Sequence, residues 1–593
     1  MAPSLETLSP SQVLATSGSV LGQTILFFAC YIALKLLYST YISPRFSPLR
    51  DVPGPKPSAA WSGAMQESFS YGPGVAFAKW VKQFGGAVRF PVYFGKEHLV
   101  LTDPGALNHM FVKRSYEYVK PPLNAALIGD IAGDGLLVVE GDDHRRHKKL
   151  MVPAFSPAHL RELLPILFDK SKKVRDAWTK LVETEDVDPV AFKTAAQAKA
   201  ARRTAGENGE KEAFVEVHSW FNKLTLDIIG LAGFGYSFDT LSAESTTLSS
   251  TWDAISTRVA SVPTPWSFLY TRILRALALA GRSRNLDQYI PNARVQADRR
   301  LRVALEKESR GIIEEKIRET EIEGKEGLQE SKDLIALLLR ANWGESKAPL
   351  STEELRAEMM NILLAGHETT SNQLAWTLHY FTRYPDVQTK LRDELRAALK
   401  EAQDDGREEL DYSEIDKLEY LDAVVNESLR VEPSIPITTR QATTDDHIPL
   451  SRPIPSATHP GSTISSIAVK KGQQFVIPIY AANRNRDLFG EDADEFRPER
   501  WLEKDEKGER IMQGGSGHFG AFTFLQGPRS CIGYKLANME LKVALAVLLP
   551  VFTFAPRDAN TQIERRAELV TRSLIVGEEE MGPRMVLKVG LAQ

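Results

Sequence analysis

The residues best suited to chemistry lie near the carboxyl end, in the run Phe524-Leu-Gln-Gly527-Pro-Arg529-Ser-Cys531-Ile-Gly533. Cys531 is one of only two cysteines, the other being Cys30, so a disulfide framework is implausible and thiol chemistry must rest on very few atoms. Gly527 lets the backbone turn tightly and approach a flat ligand closely. Cys531 precedes a helix-favouring run, Tyr534 to Leu549, where a helix amino terminus favours a thiolate. A thiolate bound to haem iron pushes electron density toward the metal and promotes O–O cleavage. Arg529, two residues away, can neutralise a haem propionate, and Phe524 can shield the sulfur from water.

A second constellation is Ala365-Gly366-His367-Glu368-Thr369-Thr370, inside a long helical pattern beginning near Thr352. Gly366 and Thr369 lie three apart, on one helical face. The missing side chain at Gly366 is expected to leave room for dioxygen beside the Thr369 hydroxyl, with Glu368 as an acid that relays protons. The competing reading is a packing glycine and threonines bonded to the preceding turn. Alone, the segment favours packing; beside the cysteine run, it favours the oxygen role. The pair His367-Glu368 is not a zinc-protease motif, which needs a second histidine where Ser371 stands. Glu427 and Arg430 are three apart on a helix from about Leu418, a spacing that as a surface pair is worth only about a few tenths of a kcal/mol. The segment Gly141 to Leu150 holds His144 and Lys148, which can donate to a carboxylate. Its Arg145, Arg146, Lys148 and Lys149 read equally well as a dock for an acidic electron donor or as a solvated basic face. A G-x-G-x-x-G at Gly515, Gly517 and Gly520 lacks the strand before and the helix after that a dinucleotide site needs.

The ten-residue run resembles the haem-binding signature of the cytochrome P-450 superfamily, F-x-x-G-x-R-x-C-x-G, and is complete. The resemblance extends from about Pro53 to the end, with the motifs in order. It implies heme b with Cys531 as axial ligand, within a cofactor site of Phe524, Gly527, Arg529 and Gly533. It implies an oxygen-activation site at Gly366, Glu368 and Thr369. It implies that Glu427 and Arg430 join Arg500, in Phe496-Arg497-Pro498-Glu499-Arg500-Trp501, as a structural triad. It implies that Arg440 lies on a strand beside the haem and contacts a propionate. His144 and Lys148 stand where members often carry W-x-x-x-R on the propionates. Further departures are Asn483, where histidine is common before Arg484, and a polar, alanine-rich insertion from Lys193 to Glu212.

Positioning these residues requires a mainly α fold with small β-sheets. Helical periodicity marks Ala158 to Leu181, Val217 to Phe234, Ala293 to Glu319, Thr352 to Arg383 and Val387 to Glu401. Strand-like runs occur at Val88 to Phe94, His98 to Thr102, Ile464 to Val469, Gln474 to Ile479, Val570 to Val576 and Met585 to Val589. Asp404 to Glu409 and Ser451 to Gly461 read as surface loops. With 25% charged residues and a net charge of -4, nothing suggests a nucleic-acid binder. At the amino end an apolar stretch with Val20 to Leu34 at its centre reaches the roughly 20 residues a transmembrane helix needs. No Lys or Arg precedes Lys35, so an uncleaved anchor fits better than a signal peptide, and the charge bias puts the remainder in the cytosol. The expected plan is a lumenal end over 1–18, an anchor over 19–38, a proline-rich hinge over 39–60 and the haem-thiolate domain over 61–593.

No flavin-binding or dinucleotide-binding segment is read, so electrons are expected from a separate protein, and the resemblance implies a membrane-bound NADPH-dependent flavoprotein reductase. The expected reaction inserts one atom of dioxygen into a lipophilic small molecule, by hydroxylation or epoxidation, at the endoplasmic reticulum membrane. Leu127, Ile128, Leu136, Leu137, Ile362, Leu363, Ala365, Ile435 and Ile437 are candidate apolar walls. The fungal look of the sequence leans the substrate toward a terpenoid or other secondary metabolite, by analogy alone. Two rivals are a haem-thiolate enzyme that rearranges peroxides and a membrane-tethered haem-binding protein without catalysis.

Overall fold

The computed structural model describes residues 23–24, 26–27, 29–194, 197–199, 211–242, 264–280, 288, 293–330, 333–343, 349–508, 510–511, 521–567 and 570–593. Nine helices matter below: α1 (Pro122–Ala132), α2 (Gly141–Met151), α3 (Pro157–Glu183), α4 (Val217–Phe234), α5 (Ala293–Glu330), α6 (Thr352–Arg383), α7 (Pro385–Asp404), α8 (Glu419–Val431) and α9 (Tyr534–Leu548). The sequence signals their starts. Ser351 and Glu354 form a reciprocal capping box at α6. Ser156 caps α3 with Pro157 at its first position, where a missing N–H costs nothing. Helix α2 carries Asp142 and Asp143 in its first turn and Lys148 and Lys149 in its last, matching the helix dipole.

Helix α6 runs through the interior, packed along α4 and touching α8 and α9. Most of its side chains from Leu355 to Phe381 are therefore buried, polar ones included. Helix α9 buries Leu541 to Leu548 in the same cluster, each large aliphatic side chain contributing about 1.5–3 kcal/mol. Helix α6 carries Gly366, Glu368 and Thr369, and α9 begins just after Cys531.

A five-stranded sheet forms the second unit. Its strands β1 (Ala87–Pro91), β2 (Glu97–Leu101), β3 (Tyr118–Val119), β4 (Thr438–Ala442) and β5 (Gln474–Ile477) lie in the order β1-β2-β5-β4-β3. Strands β3 and β4 are antiparallel, with Tyr118 opposite Ala442 and Val119 opposite Gln441. That register delivers Lys120 and Arg440 to one place. Smaller sheets pair Glu212–Glu216, Val586–Leu591 and Phe552–Pro556, and pair Ile563–Ala567 with Thr571–Ile575.

Some expectations need correction. Ser451 to Pro455 is no loop: it belongs to the strand Asp446–Pro455, paired with Thr463–Val469 across a register shift between Pro449 and Ile454. The segment expected as a stiff proline-rich hinge packs against the domain. Leu49 and Val52 are buried, the Arg89 N–H donates to Pro53 O at 2.8 Å, and a Cβ at Gly54 would lie 2.0 Å from Arg89 O. The proline-rich segment is thus docked on β1. Of the expected anchor, residues 19–22, 25 and 28 lie outside the described residues, as does the whole of 1–18. The remainder is helical to Leu37 and passes into a π-helical turn, Tyr38–Ile42. Among the described residues no helix is long and apolar enough to cross a membrane. Most of the 193–212 insertion and the glycine motif at 515–520 also lie outside the described residues.

Candidate functional site

The cysteine loop is built by backbone constraints. Gly527 holds φ at +64°, and a Cβ there would lie 2.2 Å from the carbonyl oxygen of Phe111, so no other residue fits without moving the loop. Leu525 holds φ 57° and ψ −171°, a region nearly reserved for glycine that costs on the order of 1–3 kcal/mol. Strain of this kind persists only where surrounding bonds fix the loop. The Cys531 N–H donates to Phe524 O at 2.8 Å, and the Phe524 ring leans on Tyr534. Lys148 Nζ donates to Pro528 O at 2.8 Å and to Ser530 O at 3.0 Å. Lys148, expected on a propionate, is thus committed to two carbonyls just before Cys531.

Cys531 is solvent-accessible by surface area yet deep within protein. Both statements hold for a group on the wall of an internal opening. Burial pushes its thiol up from the ordinary range, opposed by the Gly533 N–H and the charge of Lys148. Gly533 itself is the N-cap of α9.

Beside the loop, cations outnumber anions. Arg529 is buried and pairs through Nη2 with Glu140, while its Nε and Nη1 have no hydrogen-bond partner among the described residues. Arg440 is buried, lies 4.8 Å from the Phe111 ring centroid, and donates to Thr438 Oγ1 and Thr439 O. Burial, then the charge of Arg529, bring Arg440 down to about 10. His144 is buried against Tyr116, whose hydroxyl lies 3.2 Å from Nδ1. Burial, then Arg529, bring His144 down to about 3, so it is neutral and offers a single N–H. Unmatched positive charge next to an accessible cysteine sulfur suits a flat dianionic ligand with a central metal. By that test the residues present fit haem.

On α6, Ala365 is exposed and Thr369 half-buried, while Leu364, His367, Glu368 and Thr370 are buried. This face of an interior helix therefore borders open space. The Thr369 hydroxyl donates back to Ala365 O at 2.6 Å, and the Thr369 carbonyl accepts from Ser434 Oγ at 2.8 Å. Gly366 departs from expectation. A Cβ there would lie 2.8 Å from Ile229 Cδ1 of α4, so the glycine serves close helix packing and its open side is already filled. Glu368 is buried in an ion pair with Arg572, not free to swing. Leu363 is fully buried in the core, so it is no pocket wall.

The triad residues assemble and are buried. Arg430 Nε and Nη2 donate to Glu427 at 2.8 Å, and Arg500 Nε donates at 2.9 Å. Trp501 Nε1 and the Arg497 N–H add two more bonds. Burial alone would raise the Glu427 carboxyl, but the bonds and charges of Arg430 and Arg500 hold it below the ordinary carboxylate range. Asn483 turns out to be a link. Its side chain donates to Arg430 O and Thr523 Oγ1 and accepts the Phe522 N–H at 2.6 Å, tying α8 to the cysteine loop.

Sequence reasoning missed several residues. Lys120 and Glu140 join the cation cluster, with Lys120 Nζ 3.4 Å from Glu140. His147, fully buried, sits 2.5 Å from Glu358 and ties α2 to α6. Arg146 turns to Glu354, so of the basic face only Arg145 and Lys149 stay exposed. Glu540 on α9 is buried, hydrogen-bonded to Thr370, with Oε1 unpaired among the described residues; burial pushes it up to about 8. An acid raised in the fold keeps its proton while the unfolded chain loses it, so stability falls as pH rises between the ordinary Glu value and about 8. Glu540→Gln is expected to remove that slope and stabilise the protein at pH 8 by on the order of a few kcal/mol. Thermal unfolding across pH 5 to 9 checks it.

An interior helix with an open face, an accessible cysteine in a glycine-shaped loop and cations beside that loop fit a haem-thiolate protein. The family model "Cytochrome P450" matches residues 53–575. Cytochrome P450 monooxygenase claP of Ampulloclitocybe clavipes is 34% identical over 520 residues, covering 87% of this chain and 88% of that one. Cytochrome P450 monooxygenase claQ of the same fungus is 33% identical, covering 95% and 97% of the two chains. Cytochrome P450 monooxygenase 205 of Postia placenta is 34% identical, covering 92% and 93%. The chain belongs to the cytochrome P450 family. It is a monooxygenase that binds haem through a cysteine thiolate and acts on a small molecule with dioxygen and a redox partner.

Proposed function

We propose that this chain is a membrane-anchored monooxygenase that takes electrons from a separate NADPH-dependent flavoprotein reductase. It hydroxylates or epoxidises a lipophilic small molecule of the terpenoid or secondary-metabolite type. The observation that carries the reading is the accessible Cys531 sulfur, two residues from Arg529, whose Nε and Nη1 are unpaired among the described residues.

When bound, haem supplies the redox chemistry that splits dioxygen. Cys531 would give the iron its sulfur ligand, and Lys148 keeps two loop carbonyls just before it in place. Arg529 and Arg440 take the propionates. Thr369 offers its hydroxyl at the open face of α6, where it accepts and passes protons toward the oxygen site. Glu368 supplies those protons only after parting from Arg572, which makes that ion pair the gate.

Exposed apolar residues support the anchor. Leu26, Phe27, Tyr31, Ile32, Leu34 and Leu37 are all more than half exposed on the amino-terminal helix. Ser39 Oγ, at its end, donates to Phe94 O at 2.6 Å, next to Tyr93, which stacks on Trp61. Trp61 meets Trp266, and Trp266, Tyr270 and Ile273 form one exposed apolar stripe at helical spacing. Aromatic side chains so placed suit a bilayer interface. The cytosolic face of the endoplasmic reticulum membrane is the matching location.

The test is a lipophile panel with purified enzyme and added reductase. Substrate-dependent consumption of both NADPH and dioxygen is expected. Turnover of a peroxide without either defeats the reading in favour of a peroxide isomerase, and haem binding with no oxidation across the panel defeats it in favour of a non-enzymatic haem protein. Thr369→Ala should keep haem yet divert electrons to hydrogen peroxide, lowering product per NADPH about tenfold or more; peroxide release measured against NADPH consumed checks it.

A further inference from the structure

We propose that Lys120 is a third propionate-holding cation, beside Arg440 and Arg529, and that Glu140 braces Lys120 and Arg529 for that task. The inference rests on the haem-thiolate reading above and assigns the place that Lys148 does not fill.

Lys120 follows β3 directly, and the β3–β4 register sets it opposite Arg440. Its backbone N–H donates to Glu140 Oε1 at 3.0 Å and its Nζ lies 3.4 Å from the same atom, while Glu140 Oε2 takes Arg529 Nη2. One carboxylate thus fixes two cations from different parts of the chain. Arg440 pairs with no carboxylate among the described residues. The Lys120 side chain is only 20% exposed, so water screens it weakly. Burial brings Lys120 down to about 8; the charge of Glu140 opposes this, while Arg440 and Arg529 repel the ammonium.

Two buried arginines and the half-buried Lys120, sharing one carboxylate, leave two positive charges unmatched. Buried charge without a partner is costly, so the site is built for a ligand that brings two negative charges. Haem carries two propionates. Lys148 cannot serve, since its ammonium already donates to Pro528 O and Ser530 O. His144, neutral and held by Tyr116, brings no charge.

The experiment uses purified holoprotein, following haem transfer to excess apomyoglobin and the propionate bending mode in resonance Raman spectra. Lys120→Gln should release haem roughly tenfold faster or more, as for loss of a charge-assisted hydrogen bond, and should shift the mode. Wild-type release with an unshifted mode overturns the proposal. So does faster release with an unshifted mode, which would mark a packing role. Should Lys120→Gln fail to accumulate, Lys120→Arg decides. It should retain haem at close to the wild-type rate while shifting the mode, and an unmoved mode overturns the assignment. In every arm the thiolate spectrum of the retained haem reports separately on the Cys531 reading.

Discussion

Glu427→Ala is expected to leave almost no folded haem protein. The substitution removes one carboxylate that accepts five hydrogen bonds: two from Arg430, and one each from Arg500, Trp501 and the Arg497 backbone. Arg430 is 0% exposed and Arg500 1%, so Arg430 would stay buried with its countercharge gone and Arg500 would keep only Asp492. Breaking such a pair from one side costs about 3–5 kcal/mol, a large share of the roughly 5–15 kcal/mol that holds a domain folded. The damage reaches the site through Arg430, which also holds the carbonyls of Asn483, Ala493 and Glu495. Holoprotein yield and thermal unfolding check the result. Glu427→Gln keeps the shape and should fall between. The sign with pH follows from the depressed Glu427 carboxyl. Its contribution is present above the unfolded-state value and lost as pH falls through the lower folded one. Wild type should therefore lose more stability on acidification than Glu427→Gln.

Cys531→Ser is expected to fold and to fail chemically. The serine hydroxyl fits the loop, and the Phe524, Gly527 and Lys148 contacts that shape it involve backbone atoms of the loop. A neutral hydroxyl cannot supply the electron push of a thiolate. Monooxygenase turnover should fall roughly a thousandfold or more, about 4 kcal/mol of barrier. Product formation per haem, compared at equal reductase, checks it. Near-normal turnover would show that another group ligates the iron.

What the sequence disclosed follows the range of the interactions involved. The cysteine run is local: ten consecutive residues carry the turn, the cation and the sulfur, so spacing alone exposes them. The helices that bracket it show strong periodicity, and α4 and α6 fall where the pattern puts them. Lys120 and Glu140 were not legible, because only the β3–β4 pairing and the fold of the cysteine loop bring them to Arg440 and Arg529. Gly366 was misread for the same reason. Whether a helical glycine opens a space or admits a neighbour depends on Ile229, which α4 supplies from far along the chain. Lys148 carried the right charge for a propionate, but its reach to two loop carbonyls is a fact of docking. Asn483, noted only as a departure, proves to connect α8 with the loop because an amide can donate and accept at once.

The most direct test of the central claim is the absorption spectrum of purified protein, reduced and exposed to carbon monoxide. Stoichiometric haem with the red-shifted band of thiolate ligation, lost in Cys531→Ser, is the predicted result. Protein without porphyrin, or a wild-type band at the position given by a neutral ligand, would contradict it.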